Sequence, residues 1–185
     1  MVRILGIDPG LNITGYAVLD LARGGGAPQI VEAGTIRTNP RADLSERVEQ
    51  LFDGLCEILR EHRPAKAAIE QLFAHASYPR TAVLMAHARG VAILACRQAG
   101  LELSNLPATM VKKSLTGNGH ASKTQIQRAI QATCGLDELP RPADVADAVA
   151  IALCAGRRFL EEAKEGLSKA RSLQGIAGRR IEGAA

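Results

Sequence analysis

The sequence has no tryptophan, and aromatic residues make up only 3% of its 185 positions, so the place of each ring counts for more than usual. Its four cysteines, Cys56, Cys96, Cys134 and Cys154, form no C-x-x-C pair and have no histidine at ligand spacing. Neither a zinc site nor a disulfide framework is indicated, and the four read as small buried thiols of a reducing compartment. No apolar run approaches the roughly 20 residues needed to cross a bilayer. The amino terminus carries one arginine and then enters an apolar strand, which does not fit a signal peptide. A cytoplasmic protein with no membrane partner is expected. Internal repeats are also lacking.

What is present is the composition of a globular domain, 46% hydrophobic and 23% charged, with a formal charge of +4 that permits a polyanionic partner without requiring one. The length suits one domain. We expect it to occupy residues 1–163, followed over 164–185 by a basic, flexible tail in which Gly, Ala and Arg replace any apolar period.

The chain is organised around Ile4-Leu5-Gly6-Ile7-Asp8-Pro9-Gly10, an apolar run that ends on one carboxylate and is cut off by Pro and Gly. This is the pattern of a buried strand, which puts Asp8 where a charge is expensive unless something compensates it. Asp8 therefore either closes the turn into Pro9-Gly10 or faces a divalent cation, alone or with a phosphate. Residues 12–19 return as a second strand, and Ile30 to Arg37 form a third, so the sheet starts antiparallel. Leu44, Val48, Leu51, Leu55, Ile58 and Leu59 recur at spacings of three and four, which predicts an amphipathic helix from Leu44 to His62 that ends before Pro64. Ala65 to Ile69 is a short strand closing on Glu70. Ligands of open α/β sheets bind at the carboxyl ends of strands, so Glu70 is a second candidate beside its simpler role as a polar strand terminator.

Thr81 to Ala99 predicts a helix that is apolar nearly all round, which needs cover on more than one side and suggests a homodimer. Leu101 to Leu106 is a fifth strand, and a short helix with Lys112 and Lys113 follows. Ser122 and Gln125 form a capping-box pattern that starts another helix, reaching about Cys134. Lys123 in its first turn opposes the helix dipole, a small cost that makes sense if a phosphate docks there; a freely solvated lysine is the alternative. The last helix opens near Pro142, and the spacing of Asp144 and Asp147 puts both carboxylates on one face of an otherwise apolar segment. One of them could serve the helix dipole. Two would repel and each would need a partner.

Four carboxylates, Asp8, Glu70, Asp144 and Asp147, can converge only around cations. An oxygen-only donor set suits Mg²⁺ or Mn²⁺ and argues against zinc. Two such ions together stabilise the attacking and leaving oxygens of an in-line phosphoryl displacement, which points to phosphodiester hydrolysis.

These motifs, Gly6-Ile7-Asp8-Pro9-Gly10 with Thr14-Gly15-Tyr16, Ala68-Ile69-Glu70-Gln71 with Phe73, Ala88-Arg89-Gly90-Val91-Ala92 and Ala143-Asp144-Val145-Ala146-Asp147-Ala148, closely resemble the RuvC family of Holliday junction resolvases over residues 2 to 160. The resemblance implies an α/β ribonuclease H-like fold, a five-stranded mixed sheet with helices on both faces. It further implies a Mg²⁺-dependent homodimer that makes paired symmetric nicks in four-way junction DNA in recombination and repair, in company with a branch-migration helicase. By position Asp8, Glu70, Asp144 and Asp147 match the metal-binding catalytic acids, with two Mg²⁺ ions implied and Mn²⁺ as a substitute. Lys112 and Lys123 match basic residues at the DNA backbone, and Phe73 matches an aromatic that stacks on a base. On its own Phe73 is either core packing or a base platform.

Three other readings compete with this one. The Asp8-Pro9-Gly10 turn with Thr14 also resembles a phosphate loop of the actin and sugar-kinase superfamily, but the chain is too short for the second domain such proteins need. A non-catalytic junction-binding module gains nothing from clustered negative charge facing phosphates. A related nuclease acting on RNA is separated from the junction enzyme only by Lys112, Lys123 and Phe73.

Overall fold

The structure is a computed structural model; it describes residues 1–72 and 79–182, with side chains for all of these except 79, 80 and 167–182. Strands β1 (Val2–Asp8), β2 (Ile13–Leu21) and β3 (Gln29–Arg37) form an antiparallel meander, and β4 (Lys66–Glu70) and β5 (Leu103–Leu106) add to β1 in parallel, giving the order β3-β2-β1-β4-β5. The mixed sheet is the one expected. The parallel pairs need crossovers, supplied by α1 (Leu44–His62) between β3 and β4 and by α2 (Pro79–Gln98) between β4 and β5. Helices α3 (Ala108–Thr116), α4 (Lys123–Cys134) and α5 (Ala143–Glu182) follow.

The two-residue period of a strand sorts its side chains between two cores. Val2 and Ile4 of β1, Ala17, Leu19 and Leu21 of β2, and Ala68 of β4 pack with α3, α4 and α5. Leu5, Ile7, Val18, Ala67 and Ile69 pack on the opposite face with α1 and α2. Continued by one more step, the first set places Gly6 and Asp8 of β1 and Glu70 of β4 on the α5 face. The parity of two strands thus decides where two carboxylates point.

Helix α5 seats on this face at van der Waals limits. A Cβ on Gly6 would lie 2.3 Å from the carbonyl oxygen of Ala148, and one on Gly15 would lie 2.1 Å from that of Asp144. Only glycine admits the helix backbone so close to β1 and β2. α1 ends as its sequence suggests: Arg63 turns left-handed at φ 44° and its N–H reaches the carbonyl of Leu59, just before Pro64. The capping box at α4 also forms, with Ser122 and Gln125 exchanging backbone and side-chain bonds.

Three boundaries shift by two residues, with β2 running on to Leu21, α2 opening at Pro79 and β5 at Leu103. The residues expected to form a basic tail continue α5 as helix as far as Glu182. All four cysteines are free; Cys96 and Cys154 are buried, Cys56 and Cys134 partly so.

Candidate active site

Asp8 is the last residue of β1 and Glu70 the last of β4. The parallel register pairs Ile7 with Ile69, so the two carboxylates stand side by side at the carboxyl edge of the sheet centre. Asp144 and Asp147 come from the first turns of α5, above the same edge, where Gly15, the β2 partner of Asp8, receives the backbone of Asp144. All four acids are half-buried. The convergence expected from sequence is therefore built by three elements: two strand ends and one helix start.

The electrostatics describe carboxylates crowded without enough counter-charge. Asp8 is pushed up to about 7, first by burial and then by Asp147, Glu70 and Asp144, with Lys123 only partly offsetting them. Glu70 and Asp147 are also raised, chiefly by burial; Asp147 adds to the first and Asp144 to the second, while Lys112 and Lys123 pull both back. Repulsion is mutual, so Asp8 and Asp147 each face all three other acids. Among the described residues no hydrogen-bond donor reaches any of the four carboxylates, and the nearest cation is the Lys123 ammonium, 4.0 Å from Asp147 Oδ2. Half-buried acids that no described donor reaches, with Asp8, Glu70 and Asp147 raised in affinity for protons, are a set that lacks positive charge.

That donor set fits hard divalent cations: four carboxylates, with no histidine or cysteine. Their oxygens are spread, since the one trio of described ligand residues with atoms all within 4.8 Å of one another is Glu32, Glu61 and His62, elsewhere on the molecule. Spread is what mutual repulsion produces, and a pair of ions about 3.5–4 Å apart needs a broader frame than a single ion. The Glu32 trio is closed by its own bonds: His62 Nε2 lies 2.6 Å from Glu32 Oε2, and the Tyr16 hydroxyl donates to Glu32 Oε1.

Clefts flank the acids on both sides. One, of about 280 Å³, is lined by Glu70, Asp147, Lys112 and Lys123 over an apolar floor that includes Val111 and Ile126. Both predicted lysines are thus beside the carboxylates, Lys112 half-buried on α3 and Lys123 exposed at the start of α4. The other cleft, of about 340 Å³, runs along Asp8, Gly10, Asn12 and Asp144 toward Thr81 and Met85 of α2. Phe73 lies outside the described residues.

Three supporting residues escaped the sequence reading as individual contributors. Thr14, 1% exposed, donates from Oγ1 to the Gly10 carbonyl at 2.7 Å and accepts from the Gly10 N–H at 3.3 Å, closing the turn behind Asp8. Arg89 of α2 donates to the Glu70 carbonyl at 3.3 Å and also to Asn105. Arg47 holds Asn12. The threonine's contact is local, four residues back, but what the two arginines touch is set by contacts across 16 to 35 residues.

The family model for crossover junction endodeoxyribonuclease RuvC matches residues 4–155. The crossover junction endodeoxyribonuclease RuvC of Rhodopirellula baltica is 50% identical over 151 residues, covering 82% of this chain and 84% of that one. The protein of the same name from Halorhodospira halophila is 44% identical over 154 residues, covering 83% and 89%. Among solved structures, T. thermophilus RuvC in complex with a Holliday junction substrate aligns with a TM-score of 0.78 at 30% identity, over 83% of this chain and 92% of that one.

Proposed function

The chain belongs to the RuvC family of crossover junction endodeoxyribonucleases, and from that premise we propose that it resolves four-way DNA junctions by paired, symmetric phosphodiester hydrolysis in recombination and repair. The observation that carries the reading is the group Asp8, Glu70, Asp144 and Asp147, four acids at the carboxyl edge of the sheet that no hydrogen-bond donor among the described residues reaches, with Lys112 and Lys123 beside them.

Asp8, Glu70, Asp144 and Asp147 are the residues that would hold two Mg²⁺ ions, with Mn²⁺ able to substitute. Bound there, the ions supply Lewis-acid stabilisation of the charge that develops on the phosphate during in-line displacement by water. The chain's own residues do the rest. Gly6 and Gly15 fix the distance between the helix acids and the strand acids by letting α5 touch the sheet. Thr14 and Arg89 hold the backbone behind Asp8 and Glu70, so the carboxylates start from positions set before DNA arrives. Lys112 and Lys123 draw the backbone phosphates into the neighbouring cleft and partly offset the acids. Phe73 keeps its proposed role as a stacking platform for an unpaired base, worth about 1–3 kcal/mol.

A symmetric junction presents two equivalent phosphates, so paired cutting calls for two copies of the site. α2 offers the surface for a second copy of this chain: Val83, Ala86, Gly90, Ile93 and Leu94 form an exposed apolar stripe whose turns advance by three and four residues. A Cβ on Gly90 would meet nothing within 4 Å, so a partner helix has room to approach. A branch-migration helicase partner and a cytoplasmic location are proposed on family grounds; no described helix is long and apolar enough to cross a membrane.

The test is cleavage of a synthetic mobile four-way junction beside linear duplex and an RNA–DNA hybrid, with Mg²⁺, Mn²⁺ or chelator, for wild type and Asp8→Asn. Paired, metal-dependent nicks on the junction alone, lost in the variant, are expected. Binding without cleavage under every metal would make the protein a binding module, and cleavage of the hybrid instead would replace the substrate.

A further inference from the structure

Arg47 is 8% exposed, yet no carboxylate lies within ion-pair distance of it among the described residues. Its guanidinium instead donates from Nη2 to Asn12 Oδ1 and from Nε to Thr38 Oγ1 at 3.1 Å. Thr38 in turn donates its hydroxyl to the Leu11 carbonyl at 2.6 Å and its N–H to the Asn12 carbonyl at 3.2 Å. A buried cation is thus spent on holding one exposed asparagine and the backbone on either side of it. Such a charge is costly without an anion, and a fold that only needed to fasten this turn would do so with neutral groups.

A guanidinium has donors and no acceptor, so it fixes which way the amide of Asn12 faces: oxygen inward, Nδ2 outward. No described residue accepts from that Nδ2. Asn12 itself lines the cleft together with Asp8, Gly10 and Asp144, a flank whose described lining includes no lysine. In a cleft bordered by two carboxylates, a donor-only group is what a polyanionic strand would need to come close.

Resting on the proposed junction cleavage, we propose that Asn12 is a strand-binding residue, its Nδ2 donating to an acceptor of the DNA strand beside the scissile phosphate, with Arg47 as the positioning residue that orients it. The acceptor is a phosphate oxygen or the edge of a base; both present the same lone-pair chemistry.

The decisive comparison is Asn12→Asp with Asn12→Ala, each measured for single-turnover junction cleavage at saturating Mg²⁺, for junction binding and for thermal melting. Aspartate keeps an acceptor for Arg47 and turns that contact into an ion pair, so a merely structural Asn12 predicts equal or higher stability and unchanged cleavage. A donor role predicts the same melting, unchanged or raised, but cleavage lowered about 10-fold or more. Asn12→Ala, which removes the donor without adding charge, is expected to cut about 5- to 10-fold more slowly, the loss of one hydrogen bond to a charged or polar acceptor. Across a panel of junctions differing at the cut site, a uniform loss identifies a phosphate contact and a relaxed sequence preference identifies a base contact. Asn12→Ala cutting at the wild-type rate overturns the inference, as does a fall in Asn12→Asp activity that merely follows a fall in its melting temperature. Should Asn12→Ala melt below the assay temperature, Asn12→Asp decides alone, and its cutting at the wild-type rate overturns the inference. A wild type that cuts no junction overturns the proposed function itself, and the inference with it.

Discussion

Asp8→Asn should stabilise the metal-free protein while destroying its activity. Asp8 is held at about 7 against an ordinary 3.8, by burial and by three neighbouring acids. At about 1.36 kcal/mol per pH unit the difference amounts to ~4 kcal/mol. Its sign follows from proton counting. The folded state keeps the Asp8 proton to higher pH than the unfolded state does, so the folded state binds more protons between about pH 4 and 7 and stability falls as pH rises through that window. Above about pH 8 the whole penalty is in force. Asparagine keeps the shape and never ionises, so in chelator at pH 8.5 the variant should melt higher, by roughly 8–16 °C at the 2–4 °C per kcal/mol expected for a chain of this length. At pH 4 the two proteins should melt together. Mg²⁺ narrows the gap: cations that bind the folded state alone stabilise by about 2.7 kcal/mol at a hundred times their dissociation constant, and wild type should gain this while the variant gains little. Melting by calorimetry or fluorescence dye over pH 4 to 8.5, with and without Mg²⁺, reads all of it. An Asp8→Asn protein that melts with or below wild type in chelator at pH 8.5 would refute the crowding argument, and one that keeps the full Mg²⁺ response would refute the metal assignment.

Gly15→Ala places a methyl 2.1 Å from the Asp144 carbonyl oxygen and should cost about 3 kcal/mol or more by forcing α5 off β2, with cleavage lost even below the melting temperature because Asp144 moves away from Asp8; denaturant unfolding beside a cleavage assay checks both. Gly90→Leu meets open space and replaces glycine inside a helix, so the fold should hold or gain up to about 1 kcal/mol while sedimentation velocity shows the proposed dimer shifted toward monomer; a dimer that this change leaves intact would remove α2 from the interface. Lys123→Ala should weaken junction binding and flatten its dependence on salt by about one phosphate contact, and because Lys123 lowers the proton affinity of Asp8, Glu70 and Asp147, the rise of cleavage with pH should move to higher pH; identical salt slopes and pH profiles would deny it both roles.

How much of this was legible beforehand depends on the range over which each feature is determined. Asp8 and Glu70 announce themselves because an apolar run that ends on a carboxylate is a local pattern, and Asp144 with Asp147 because three-residue spacing in an apolar helix is local too. The antiparallel start of the sheet was legible in the local turn and strand pattern, and the two-residue period sorts each strand's side chains between the two faces. The helical continuation of α5 to Glu182 was not legible, and the reason is physical. An apolar period records burial, and every described position of α5 from Glu161 to Gly166 is exposed, so the helix there has no core face to write into its sequence; its Ala, Glu, Lys and Arg content favours helix through propensity alone.

The remaining gap concerns groups that act on the site from a distance in sequence. Arg47 stands in an amphipathic helix at a position that reads as one more surface charge, and nothing near it in sequence says that it turns inward to Asn12, 35 residues away. The same holds for Arg89 and the Glu70 carbonyl, 19 residues apart. The carboxylates of such a site can be found from the pattern of their own strands and helix, because their position at an element's end is what makes them useful. The groups that orient the rest of the site are chosen by where three elements meet. Arg47 on α1, Thr38 after β3 and Asn12 before β2 converge only because α1 packs across the meander on the face opposite α5. One face of the sheet therefore carries the acids and the other holds the arginine that aims the turn between β1 and β2, which makes that turn the place where the two cores act on the same strand of DNA.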